Sequence, residues 1–586
     1  MSGNRYRLKS NSVYALFLLC FVALYARLFV LQVVRHDALA TRGEDLHRFN
    51  VKIDPRRGNI YDRENRPLAM SVRVKSAYAV PEDIRSPEET ADLISQCLKA
   101  PREEVAAKIE KKGRKFVWLG RKLDGRIADR IESLQLDGIG FREEVRRVYP
   151  QGPLMSHVIG FVDIDNRGLE GLELQHDGAM RGQAGWMASR RDRKGREIMT
   201  LRSSEVQSID GYDLDLTMDV VIQHIAESEL ENGCRKFNAV GGCVIVMNPQ
   251  TGAILAMCNR PTYDPNCPSE YPQEARRNRC ITDVYEPGST FKVVTVACAL
   301  DKGAVSIDDS FFCENGAFRV GRHTLHDVHK YGTLTTAEIV KKSSNIGAVK
   351  IAMRLGDRFL HGGIRRFGFG VPTGVGLPGE VGGIVHPLAQ WSGLSIAAVP
   401  MGQEIGVTPI QMAAAAATIA NGGLAMKPYI VETIRDSSGR VVRSFSPEAR
   451  ARVISEAAAS VLARAMEGVP TREGTAPKAE LKDYTVAGKT GTSQKVDPDG
   501  RYSHSRFVGS FVGFAPARNP AVLILVLLDE PKPVYYGGSV AGPIFKEIAG
   551  RVLKYLGVPP DKEDAGAIVV SDTGRRLAAA RPVKAE

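Results

Sequence analysis

The feature that most narrows what this chain can become is a trio of short motifs in fixed order: Ser289-Thr-Phe-Lys292, Ser343-Ser-Asn345 and Lys489-Thr-Gly-Thr492. Ser289 follows the chain-breaking run Glu286-Pro-Gly288 and opens a segment, reaching Leu300, that is nearly all apolar after Lys292. That pattern predicts a buried helix beginning at the serine. Residues three apart share a helix face, so the Lys292 amine can reach the Ser289 hydroxyl. The free N–H groups and positive dipole end of the helix N-terminus would lie beside the serine oxygen.

A lysine accepts a proton only when it is neutral. Burial and a neighbouring cation lower its pKa from about 10.4 toward about 7–8 in tuned sites. Lys489 is the expected second cation. Thr336 to Lys342 reads as a helix, so Ser343 and Asn345 project from its end. Ser343 can relay a proton, and the Asn345 amide can hold Lys292 and a substrate carbonyl. Alone, this second motif reads equally as a helix cap, and Ser2-Gly-Asn4 shows that the pattern arises by chance.

Lys489-Thr-Gly-Thr492 follows Tyr484 to Gly488 and reads as an exposed strand edge. Gly491 would let an extended peptide lie against that edge. Lys489 with the Thr490 and Thr492 hydroxyls suits a terminal carboxylate, and the N–H groups of Ser289 and Thr492 suit an oxyanion.

The N-terminus carries the next strongest signal. From Ser12 to Val34 the chain is interrupted only by Arg27 and Gln32 as strongly polar residues, which is long enough to span a bilayer if Arg27 snorkels. It lacks the short apolar region and small-residue cleavage site of a secretory signal peptide and reads as an uncleaved signal anchor. Basic residues flank it on both sides, Arg5, Arg7 and Lys9 before and Arg35, Arg42 and Arg48 after, so charge alone nearly ties. Residues 1–11 are expected inside the cytoplasm and the rest outside.

At 586 residues the chain should form two or three domains. A net charge of +12 would suit nucleic acid, an anionic membrane or an acidic polymer. No zinc-finger spacing, Walker loop or RNP-like motif accompanies it, so a nucleic-acid partner is not expected and the excess reads as solvated surface. The nine cysteines form no C-x-x-C pair and, with the eleven histidines, no metal-ligand pattern. Cys243, Cys258 and Cys298 fall in core-like runs, and no essential disulfide is expected.

Asp54 to Ala69 suggests two strands around an Arg63–Pro67 turn, and residues 86–140 carry helical periodicity with Ser86 as N-cap and Pro87 first in the helix. Arg167-Gly-Leu-Glu170 and Arg191-Asp-Arg-Lys-Gly-Arg196 follow, without any nucleophile, base and oxyanion site together. From Leu214 a regular α/β pattern begins: a helix over Gln223–Phe237, and strands over Gly242–Asn248 and Ala253–Cys258 joined by a turn. Strands over Arg506–Ala515 and Ala521–Leu528 and a helix over Gly542–Leu556 complete it. The reading is therefore 12–34 anchor, 35–205 elongated mixed α+β pedestal, 213–556 catalytic domain and 561–586 disordered tail.

The three motifs in this order match the S-x-x-K, S-x-N and K-T-G signature, and the chain resembles a class B penicillin-binding protein over almost its whole length. Pro55 to Arg63, Arg167 to Glu173 and Asp192 to Arg196 resemble the family's pedestal. Arg260 to Asn266, Gly402 to Gln411 and Tyr535 to Ala541 resemble its transpeptidase domain. Length, Glu286 to Lys292 and the short tail look most like the cell-division type, with the sporulation type second.

The resemblance implies an α/β (α+β) serine-transpeptidase, β-lactamase-like fold and a two-step acyl transfer in peptidoglycan synthesis. Ser289 would attack the penultimate D-Ala carbonyl of a stem peptide, releasing D-Ala, and a neighbouring amine would resolve the acyl-enzyme. It implies β-lactams as mimics, no metal or organic cofactor, and a SEDS-family glycosyltransferase with other division-complex membrane proteins as partners. The cytoplasmic membrane at the division septum is the implied location. Elongation- or sporulation-type transpeptidase, D,D-carboxypeptidase, β-lactamase and non-enzymatic division scaffold are the competing readings. A β-lactamase must deacylate with water, and the anchor and pedestal argue against it.

Overall fold

The computed structural model describes residues 3–39, 48–110, 114, 116–191, 197–198 and 204–562. The expected tail from 563 onward, most of Arg191–Arg196 and Arg42 lie outside the described residues. At the N-terminus, Gly3–Phe29 is α-helical and Val30–Val34 continues it as a π-helical turn. Lys9–Val34 is long and apolar enough to cross a membrane, three residues longer at its start than the expected anchor.

The chain divides into two compact units, one of Met1–Gly58, Ser71–Arg146 and Gly178–Tyr212, the other of Asn59–Met70, Arg147–Asp177 and Asp213–Glu586. In the first, Arg48–Ile53 pairs antiparallel with Gly185–Arg191. A separate core forms where Ala77 and Ala79 meet Ile94, Val105, Leu119 and Ile131. The helical reading of 86–140 holds for Pro87–Leu98, Arg102–Ile109 and Gly125–Ser133, but Val117–Gly120 is a strand paired with Ala77–Ala79. Ser86 does precede the first of these helices with Pro87 at its start, although its side chain makes no capping bond.

The second unit is built on a five-stranded antiparallel sheet: β1 (Gly241–Met247), β2 (Ile254–Arg260), β3 (Ala487–Val496), β4 (Tyr502–Ala515) and β5 (Val522–Asp529), in spatial order β2-β1-β5-β4-β3. β1 and nearly all of β5 are buried at every position. Continuous apolar runs of this kind belong to strands covered on both faces. The Asn248 carboxamide accepts from Gln250 N–H at 2.9 Å and from Thr251 N–H at 3.2 Å, which fixes the expected turn between β1 and β2.

Helix α1 (Val220–Lys236) starts three residues before Gln223 because Asp219 accepts from Val221 N–H at 2.8 Å. It packs closely on the long helix Gly537–Tyr555: a Cβ on Gly233 would lie 2.2 Å from Ile544 Cδ1. Residues 59–70 are tied into this unit at Asp62, which is buried and accepts from Arg66 N–H at 2.8 Å and Val220 N–H at 3.2 Å. The turn between Ile60–Tyr61 and the strand from Pro67 is the one expected.

Candidate active site

Ser289 lies in a 3-10 turn, Gly288–Phe291, that runs directly into helix α2 (Lys292–Asp301). Residues 292–299 of α2 are all buried, as expected of a helix apolar on every side, and this places Lys292 in the interior. Gly288 has φ of 55°, and a Cβ there would meet Thr492 O at 2.9 Å. Only glycine allows both the left-handed backbone and this approach of the serine turn to β3.

Helix α3 (Thr336–Lys342) has the predicted bounds, set by a capping box between Thr335 and Glu338. It ends at Ser343, whose left-handed backbone (φ 59°, ψ 39°) costs a serine about 1 kcal/mol. The next residue, Ser344, caps helix α4 (Asn345–Leu355) by accepting from Gly347 N–H at 2.9 Å. The second motif is thus both a helix junction and a set of ligands for lysine. Lys292 Nζ donates to Ser343 O at 2.6 Å, Asn345 Oδ1 at 2.6 Å and Ser343 Oγ at 3.3 Å. Lys489 Nζ donates to the same Ser343 Oγ at 2.8 Å and to Thr490 O at 3.3 Å.

Burial pushes the Lys292 amine down to about 7, against an opposing pull from the Asp327 carboxylate. Lys489 is also fully buried, and burial followed by the Lys292 charge drives it well below the usual lysine range. Of the two expected causes, burial and a neighbouring cation, burial is the larger, and the charge of the neighbouring lysine adds to it at Lys489. Loss of hydration dominates at both lysines.

Asp327 escaped sequence reasoning. Its carboxylate accepts from Ser344 Oγ at 2.7 Å, from Ile346 N–H at 3.2 Å and from Asn345 N–H, so it holds the start of α4 and with it Asn345. No spacing rule ties it to the motif. Asn345 Nδ2 donates to His326 O at 2.8 Å, which leaves the Oδ1 side for Lys292.

Ser289, Ser343, Asn345, Thr490 and Thr492 line one cavity of about 710 Å³, with Tyr331, Phe507 and Tyr535 among its other walls. Phe507 and Tyr535 stack at 4.0 Å between centroids. Lys292 and Lys489 sit behind Ser343 and do not line the cavity. Thr490 Oγ1 lies 2.8 Å from Thr475 Oγ1, and Thr492 Oγ1 accepts from Gly537 N–H at 3.1 Å.

β3 is an edge strand as expected, but its first residues are buried and not exposed. Gly491 also takes a different part from the expected one. A Cβ there would meet Ser510 Oγ at 2.4 Å and Thr290 Cγ2 at 2.9 Å, so its missing side chain makes room for the protein's own packing and not for a peptide. Strand alternation explains this, since Thr490 and Thr492 take the cavity face and Gly491 the opposite one.

Residues 242–550 match the penicillin binding protein transpeptidase domain and residues 52–216 the penicillin-binding protein dimerisation domain. The chain is 36% identical to the peptidoglycan D,D-transpeptidase FtsI of Escherichia coli (strain K12), covering 94% of this chain and 92% of the relative. It is 37% identical to stage V sporulation protein D of Bacillus subtilis (strain 168), covering 92% and 85%. Among solved structures, penicillin binding protein 3 of Mycobacterium tuberculosis complexed with aztreonam matches with a TM-score of 0.69 at 27% identity, over 87% of this chain and 98% of that one. Serine turn, helix junction and edge strand meet here around two buried lysines in the order that their motifs follow in the sequence, and by fold, motifs and relatives alike the chain belongs to the class B penicillin-binding proteins.

Proposed function

We propose that the protein is a peptidoglycan D,D-transpeptidase in which Ser289 carries the acyl group and Lys292 is the base that activates it. The observation that carries this reading is Lys292 itself. A neutral amine has two N–H groups, which satisfy Ser343 O and Asn345 Oδ1 at 2.6 Å, and its lone pair, with the Ser343 hydroxyl at 3.3 Å, is the place for a proton from Ser289. With a pKa of about 7, a large share of the lysine is in that neutral form at neutral pH.

In the first step the Ser289 oxygen forms a bond to the penultimate D-Ala carbonyl as its proton passes to Lys292. The oxyanion is held by the N–H groups of Ser289 and Thr492. Collapse breaks the amide bond, and Ser343, bonded to both lysines, relays a proton to the departing D-Ala amine. An amine of a second stem peptide then attacks the ester and regenerates Ser289. Thr490 and Thr492, on the cavity wall, favour the terminal carboxylate, and Lys489 acts on it only from behind, through its bond to Ser343 Oγ. β-Lactams acylate the same serine, a reading supported by the aztreonam complex of the mycobacterial structure.

In this proposal residues 1–11 are cytoplasmic, 12–34 anchor the chain in the cytoplasmic membrane, 35–205 form the pedestal and 213–556 the catalytic domain outside. The division septum is its place of work and a SEDS-family glycosyltransferase its partner. Similarity to FtsI supports the division role. A D-Ala-D-Ala-like thioester with a D-amino acid tests the reaction: the exchanged product is expected, and fast repeated hydrolysis of nitrocefin would instead indicate a β-lactamase. Depletion tests the role, with filaments and blocked septa expected; rounded cells that still septate would assign it to elongation.

A further inference from the structure

The catalytic cavity is lined by Thr490 and Thr492, two residues apart on β3 and so on the same face of the strand, and each hydroxyl has a different neighbour. A hydroxyl carries one proton and two lone pairs, whereas a carboxylate only accepts. A threonine therefore serves a carboxylate only while its proton is turned toward it, and that orientation is favoured where its other neighbour is a donor. Thr492 meets the condition through the backbone, because Gly537 N–H donates to its Oγ1 at 3.1 Å. At Thr490 the neighbour is a second hydroxyl, Thr475 Oγ1 at 2.8 Å, and the sense of that bond decides where the Thr490 proton goes.

Thr475 is well placed to set it. It is half-buried and lines the cavity at the end of a loop that closes on itself, with Gly474 N–H donating to Thr471 O and Ala476 N–H to Val469 O, both at 3.0 Å. The helix Gly537–Tyr555 braces this loop: a Cβ on Gly538 would lie 2.1 Å from Thr475 O. The two glycines that open the helix thus act on both threonines. Gly537 gives its N–H to Thr492, and Gly538 leaves room for the loop that brings Thr475 to Thr490.

We infer that Thr475 is a positioning residue for carboxylate recognition: its O–H donates to Thr490 Oγ1, which turns the Thr490 proton into the cavity as Gly537 turns that of Thr492. The inference rests on the reading of the protein as a D,D-transpeptidase. It names a hydroxyl outside the three motifs that gives the site its preference for a substrate ending in a carboxylate. With the opposite sense, Thr490 would direct its proton to Thr475 and meet the carboxylate with lone pairs alone.

The test compares two D-Ala-D-Ala-like thioesters, one ending in a carboxylate and one in a carboxamide, through the ratio of their kcat/KM values. The full-length protein in detergent is used, with a D-amino acid as acceptor. Thr475→Val keeps the side-chain shape and removes the O–H, so the acid-to-amide ratio should fall about tenfold, the difference between a charged and a neutral acceptor. Thr475→Ser keeps the O–H and should restore the ratio. Thr490→Val should lower it by itself, and Thr475→Val added to Thr490→Val should lower it no further. Thr475→Ala serves in place of the valine variant if that one fails to fold. The inference is overturned if loss of the Thr475 hydroxyl slows both thioesters by the same factor, if it leaves the ratio unchanged, or if serine fails to restore it. A further fall in the Thr490→Val background would also overturn it, because Thr475 would then touch the carboxylate itself. A parent that turns over neither thioester would overturn the transpeptidase reading and this inference with it.

Discussion

Lys292 and Lys489 converge on one hydroxyl, that of Ser343, at 3.3 and 2.8 Å. Both side chains are buried, and Asp327 is the carboxylate that acts on Lys292. Two ammonium groups in this setting oppose each other and both oppose their own desolvation, so the interior favours loss of a proton. Titration of the two lysines is consequently a property of the pair.

Lys292→Arg keeps a cation but removes the neutral amine, because arginine stays protonated. The rate of acylation by a fluorescent penicillin should fall about 10²–10⁴-fold, the range spanned by general-base contributions. Acylation near the parent rate would remove Lys292 from the role of base.

The same group sets a pH dependence. Acylation requires the neutral amine, so its rate should rise with pH through about 7 and level off above. The stability sign follows from linkage. Lys292 goes from an ordinary value of 10.5 when unfolded to about 7 when folded, so between those values the unfolded chain binds more protons and stability rises with pH. Relative to Lys292→Met, the parent should therefore gain stability from pH 7 to pH 9. Paired thermal melts at the two pH values check this, and a constant difference would contradict it.

Asp327→Asn removes the charge that raises the Lys292 pKa and weakens the cap of α4. The acid limb of the acylation profile should move to lower pH, while stability falls by about 1 kcal/mol, a usual cap loss. A purely structural aspartate would lower stability and leave the acid limb where it is.

These groups differ in how far the sequence reveals them. Ser289, Lys292 and the bounds of α3 are set by local rules: three-residue spacing, an apolar run and a capping box. Asp327 reaches Asn345 only after the chain has folded back through the strand Thr333–Thr335 and helix α3, so no local pattern marks it. For Gly491 the strand was legible but its phase was not, because alternation says that neighbours face opposite ways without saying which faces the cavity. The helix expected from Gly542 starts at Gly537 for a tertiary reason. Glycine is a poor helix former, yet a Cβ on Gly537 would meet Ser510 O at 2.1 Å and Gly491 O at 2.2 Å.

Gly491→Ala tests that revised assignment. The added methyl falls against Ser510 Oγ and Thr290 Cγ2, so the variant should lose about 1–3 kcal/mol of stability as well as acylation rate. Unchanged stability with weaker peptide binding would return Gly491 to the substrate edge.

The most direct measurement is peptide mapping by mass spectrometry after brief exposure of the full-length protein to benzylpenicillin, alongside Ser289→Ala. The penicilloyl mass should appear on the peptide containing Ser289, at that residue, and be absent from the folded alanine variant. The adduct on any other residue, or undiminished labelling of Ser289→Ala, would contradict the account.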